Sequence, residues 1–147
     1  MCFNGNPVEY IAYKWQDSEV SHLGIVTGIP KHQTFWEFLT AALALTTWGR
    51  NFRKTAVALL CDNSAAMQSS ISLKGKGPTL QIAKELAWRQ AKGRWCYQVG
   101  HLPKEQNTWA DALSRLEAPD GTALPSELRA AKAVQGYAAQ DFWKLRD

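Results

Sequence analysis

Cysteine is scarce. The 147 residues hold three, Cys2, Cys61 and Cys96, odd in number, widely spaced and without a Cys-x-x-Cys pair. That pattern points away from a disulfide framework and from a spaced zinc-binding motif. It is read as three small, buried or half-buried apolar residues in a reducing compartment. Long apolar runs are also missing, so no segment is a candidate to cross a bilayer. The first residues lack the basic-then-apolar pattern of a secretion signal. The expectation is an intracellular protein that meets no membrane, with cytoplasm and nucleus both open. No internal repeat is present. The net charge of +4 is moderate; it is compatible with a polyanionic partner but does not demand one.

What is present is enough for one domain with its own core. Seven tryptophans are many for this length. Most are expected in the core, with base stacking open to the rest. Asn4-Gly5-Asn6 signals a hairpin turn. Pro7 to Trp15 alternates as a strand, whose partner arm is the stub Met1-Cys2-Phe3. Residues 16–33 are polar and read as a loop. The spacing predicts a helix over Thr34 to Trp48, with Thr34 and Glu37 at capping-box distance and Gly49 just beyond its end. After a basic turn, the continuous apolar run Thr55 to Cys61 fits a strand buried on both faces. A short helix follows over 64–72, then the basic loop Leu73 to Pro78. A helix over Thr79 to Ala91 has Leu80, Ala83, Leu86 and Ala87 on one face. A strand over Arg94 to Gly100 and a helix over Gln106 to Leu116 complete the domain. Residues 117–147 read as a linker and tail with one or two short helices. Strands alternating with helices predict an α/β architecture with some parallel pairing.

Three carboxylates stand out. Glu37 is the one charged residue of an otherwise apolar, alanine- and threonine-rich helix. Unpaired burial would be costly, so it is capped, paired or metal-bound. Asp62 directly follows the apolar strand, where ligands gather in open α/β sheets; capping the next helix is the alternative. Asp111 lies on a polar stripe with Asn107, Ser114 and Arg115, facing a site or simply water, with Arg115 in reach as an i,i+4 partner. His101 follows a strand and gains meaning only beside the carboxylates. Clustered carboxylates suit Mg²⁺. Two such ions serve phosphodiester hydrolysis.

The run from His101 through Leu-Pro-Lys-Glu-Gln-Asn107-Thr-Trp-Ala-Asp111-Ala-Leu-Ser-Arg115 resembles the end of ribonuclease H domains in retrotransposon reverse transcriptases. Those domains carry His-x-Pro-Gly-x-x-Asn-x-x-Ala-Asp-x-Leu-Ser-Arg. Trp36-Glu37 with its Ala/Leu-rich helix resembles the family's helix bearing the second acidic residue. Leu-Leu-Cys-Asp62-Asn63 resembles its strand bearing the third. The resemblance spans roughly residues 3–116. It implies that Glu37, Asp62 and Asp111 bind metal and catalyse, and that His101 assists proton transfer or product release. Lys104 stands where the family has glycine.

The implied fold is a ribonuclease H-like mixed sheet flanked by helices. It lacks the first strand, with its aspartate, and most of the second, so activity is expected to be impaired. Neither Asp17 nor Glu9 occupies the place of that aspartate. The implied domain is 1–116, incomplete at its N-terminus. The implied reaction is Mg²⁺-dependent hydrolysis, with Mn²⁺ a possible substitute, of RNA in RNA·DNA hybrids, beside an upstream reverse transcriptase domain. Asn63, Lys74, Lys76, Lys104 and Asn107 are candidate nucleic-acid contacts, with Arg53 and Lys54 for phosphate. The alternative is a non-catalytic ribonuclease H-like nucleic-acid-binding module or an inactive retroelement remnant.

Overall fold

A computed structural model describes residues 1–15, 21, 24–26, 28–52, 57–119, 121 and 123–136. The described residues form a mixed α/β fold with four α-helices and small two-stranded sheets. They fall into two compact units, one of Met1–Lys14 with Pro103–Gly136 and one within Trp15–Leu102.

The larger unit is built on α1, Gln33–Trp48. Apolar side chains recur along it at helical spacing, and Phe35, Phe38, Leu39, Ala42 and Leu45 are all buried. Its partners are α2, Ser64–Ser72, and α3, Pro78–Gly93. The core they share includes Ala66 from α2 and Ile82, Ala83 and Leu86 from α3. The expected face of α3 is thus turned slightly: Ile82 takes the inner position and Leu80 is exposed. Glu85 is also buried on this helix, where Arg89 Nε pairs with Oε1 at 2.6 Å. The two helices are separated where Leu73 adopts a left-handed conformation, φ 49°, which ends α2. Pro78 then starts α3 with a φ already suited to a first turn.

Beside these helices run β4, Val57–Cys61, and β5, Tyr97–His101. They pair in parallel with Val57 opposite Tyr97 and Cys61 opposite His101. Here the structure corrects the expectation of a strand buried on both faces. Val57, Leu59 and Cys61 pack against the core, while Ala58 and Leu60 face outward, Leu60 at 56% exposure. The cause is the shortness of the sheet. Among the described residues β4 has one strand neighbour and helices cover one face, so the alternation of a half-covered strand reappears. His101 is likewise the last residue of β5 rather than a loop residue.

The smaller unit begins with a hairpin, β1 Cys2–Phe3 and β2 Asn6–Pro7. Its two-residue turn is Asn4-Gly5 with φ 50° and 79°, the paired positive values a type I′ turn requires. The longer strand expected over Pro7 to Trp15 is not formed. Beyond β2 only β3, Glu9–Tyr10, pairs, and it does so in parallel with β6, Lys132–Ala133. The two-residue arm before the turn cannot register a longer partner. The helix expected over 106–116 narrows to α4, Thr108–Ser114, after a 3₁₀ turn at Lys104–Gln106. A second 3₁₀ turn, Ser126–Leu128, buries Leu128. The strand β6 lies in the stretch read as linker and tail. Residues 137–147, with the helices expected there, lie outside the described residues, as do Asp17, Arg53 and Lys54. No described helix is long and apolar enough to cross a membrane.

The tryptophan reading holds best at Trp95, which is buried against Phe52 and Tyr97 with ring centroids at 5.7 and 5.9 Å. Trp15, Trp36 and Trp48 pack on the same core. The cysteine reading holds for Cys61, whereas Cys2 and Cys96 are exposed. Each of those two sits in a short segment, β1 and the approach to β5.

Two expectations follow from this packing. A Cβ on Gly93 would lie 2.3 Å from the Trp95 ring. Gly93→Ala is therefore expected to destabilise the fold by about 1–3 kcal/mol, the range for overpacking. An unchanged urea midpoint would show that the ring moves aside freely. Burial pushes the Tyr97 hydroxyl from 10.0 up to about 12, and it donates to Ser70 O at 2.8 Å. The folded state then holds a proton that the unfolded state releases between 10.0 and about 12, so stability falls as pH rises through that window. Urea midpoints measured across it should decline in the wild type and decline less in Tyr97→Phe.

Candidate metal centre

Glu37 is the fifth residue of α1, just past its first turn, and the capping box does not form. The helix is capped by His32 without any side-chain hydrogen bond. Gln33 Nε2 instead donates to Glu37 Oε1 at 2.8 Å. The other oxygen, Oε2, is buried and has no hydrogen-bond partner among the described residues. A buried carboxylate oxygen in that state carries an unrecovered desolvation cost, normally met by a donor or a cation.

Asp62 lies one residue beyond β4. The alternative role weighed for it, capping α2, belongs to its neighbour. Asn63 Oδ1 accepts from the backbone N–H groups of Ala65 and Ala66, both at 2.9 Å. The Asp62 carboxylate is thereby released from capping. The Asn63 oxygen, considered above as a nucleic-acid contact, is engaged in the cap.

Strand β4 and helix α1 bring these two carboxylates to one place, together with a third group. One donor atom each from Glu37, Cys61 and Asp62 lies within 4.8 Å of the others, and all three residues are partly buried. Cys61 closes β4, where Leu102 N–H bonds to its carbonyl at 3.0 Å and its thiol donates weakly to Asn63 O at 3.5 Å. Burial pushes that thiol up, and the nearby negative charges of Glu37 and Asp62 add to the rise, while the Asn63 contact opposes it. Two hard carboxylate oxygens and one thiol, with a buried oxygen still lacking a partner, fit a divalent cation.

The remaining candidates are dispersed. His101 pairs with Cys61 across the ladder and is exposed, outside the three-residue group. Lys74 and Lys76 are exposed in the segment joining α2 to α3. Asp111, Lys104 and Asn107 belong to the smaller unit. There Asp111 is exposed on α4, and Arg115 Nη2 reaches its Oδ1 at 3.0 Å, the i,i+4 contact foreseen from spacing. Such an exposed pair contributes little stability. Lys104 is exposed and Asn107 partly buried, standing before α4 without a side-chain cap. The residue that sequence reasoning passed over is Cys61. Its signal was available in its place beside Asp62 at the end of an apolar strand.

Comparison with protein-family models, curated proteins and solved structures finds no match to this chain.

The assignment of the cap is open to direct measurement. Asn63→Ala should lower stability by about 1 kcal/mol, within the usual cost of losing a capping side chain. Asn63→Asp and Asn63→Ser, which can also cap, should retain most of it. Equal losses in all three variants, read from urea midpoints, would mean that the side chain matters for something other than capping.

Proposed function

We propose that this chain is a ribonuclease H-like nuclease domain of a retroelement, hydrolysing the RNA strand of RNA·DNA hybrids with the help of divalent metal. The observation that carries the proposal is the convergence of Glu37 and Asp62, far apart in sequence, on one partly buried place with an unpartnered carboxylate oxygen. Those are two of the residues that the motif resemblance marks as metal-binding. The third, Asp111, enters through the resemblance of its own motif.

In this proposal Glu37 and Asp62 hold the ion, Glu37 with its orientation set by Gln33. Bound Mg²⁺ or Mn²⁺ supplies activation of the attacking water and neutralisation of charge on the leaving oxygen. His101, exposed at the end of β5, moves a proton at the product oxygen or assists product release. Lys74, Lys76 and Lys104 are exposed cations suited to phosphate. Asn63 and Asn107 stand as amide contacts to the hybrid, and in Asn63 only the amide nitrogen is left for this, because its oxygen caps α2. Discrimination for RNA would rest on 2′-hydroxyl contacts and the shape of the hybrid. An upstream reverse transcriptase domain is the partner this function implies.

The test is cleavage of an end-labelled RNA·DNA hybrid by the purified chain with Mg²⁺ or Mn²⁺. Cleavage is expected to cease with chelator and to fall about a hundredfold or more in Asp62→Asn, comparable to losing one preorganised electrostatic contact. A folded chain that binds the hybrid without cutting it would replace the nuclease with a non-catalytic nucleic-acid-binding module.

A further inference from the structure

We propose that Cys61 is the third donor of the Glu37–Asp62 centre and turns it toward borderline cations of the zinc class. This inference rests on the metal-binding reading above and goes further, to which metal the centre prefers.

Strand β4 ends with its thiol beside the two carboxylates, all three donors within 4.8 Å. Donors on a tetrahedral zinc stand closer, about 3.6 Å between sulfur and oxygen for Zn–S near 2.3 Å and Zn–O near 2.1 Å. The side chains would close that difference by small rotations. The backbone beneath them is held. Cys61 is registered to His101 and bonded to Leu102 N–H, and its side chain packs against the core. The contact it would give up, to Asn63 O at 3.5 Å, is weak.

The neighbours of this group also favour a cation. Gln33 fixes Glu37 Oε1 from outside, while Oε2 stays buried without a partner. An oriented carboxylate with one oxygen to spare is the arrangement that supporting hydrogen bonds give to metal ligands. Magnesium takes oxygen donors in near-octahedral geometry and dehydrates reluctantly, so a sulfur donor adds nothing to its binding. Zinc, cobalt and cadmium gain from sulfur. On binding, the thiol proton goes to solvent and sulfur bonds the cation as thiolate. A zinc-class ion held this way occupies the carboxylates that Mg²⁺ requires, and so acts as an inhibitor of the proposed nuclease.

The experiment uses the full chain with the exposed Cys2 and Cys96 replaced by serine, leaving Cys61 as the sole thiol. Cobalt(II) is titrated in, and the near-ultraviolet sulfur-to-cobalt charge-transfer band is followed. In parallel, manganese(II) binding is measured by electron paramagnetic resonance. The band is expected to appear and to vanish on further change of Cys61→Ser or Cys61→Ala, with manganese binding kept. Loss of an outer-sphere partner costs metal ligation about 10–100-fold, so loss of a direct donor should weaken cobalt at least about tenfold. Circular dichroism establishes that each variant is folded. Cobalt bound without the band would overturn the role of Cys61 and leave the carboxylate centre and the nuclease reading standing. A folded chain that binds neither ion would overturn both.

Discussion

Helix α1 is sixteen residues long and carries one charged side chain. Removing the rest of it from water organises the larger unit. Phe38 and Leu39 are fully buried, and each such side chain contributes about 1.5–3 kcal/mol relative to exposure. Helices α2 and α3 supply the opposing surface through Ala66, Ile82, Ala83 and Leu86, and β4 leans its inner residues on the same core. The position of Glu37 is a consequence of this packing. It is fixed to a helix that cannot turn without exposing its aromatic side, and so it is carried to the end of β4.

The chemistry at that end depends on a division of labour between adjacent residues. Asp62 and Asn63 can each cap a helix. Because Asn63 does so, with two backbone N–H groups on its oxygen, the charged neighbour is left for the cluster with Glu37 and Cys61. A similar exchange happens on α1. Gln33 takes the hydrogen bond to Glu37 that a capping box would have claimed, and leaves one oxygen buried and unpartnered. The Asn63 cap keeps the start of α2 satisfied, whereas the unpartnered Glu37 oxygen costs some stability locally.

The segments were legible from sequence wherever local rules govern them. The period of α1, the Asn4-Gly5 turn and the apolar run of β4 each depend on residues a few positions apart, and each forms. The short helix over 64–72 forms as read. The readings that needed correction concern what lies opposite a segment. Pro7 to Trp15 has the alternation of a strand but too short a partner arm to pair along its length. Leu60 belongs to an apolar run yet is more than half exposed, because no second layer covers that face of β4 among the described residues. Of the candidate site, the carboxylates were visible as isolated charges in apolar surroundings, whereas Cys61 looked like any small half-buried residue.

By itself the sequence determined the four described helices to within a few residues, the paired strands β4 and β5, and Glu37, Asp62 and Asp111 as candidates, since propensity and periodicity act within a turn or two of chain. Only the tertiary structure decided that Glu37 meets Asp62 and a partly buried Cys61, and that Asn63 rather than Asp62 is the cap. Those outcomes depend on which surfaces bury each other over tens of residues, and on competition between neighbouring side chains for the same backbone donors. Neither is encoded in the spacing of a single segment.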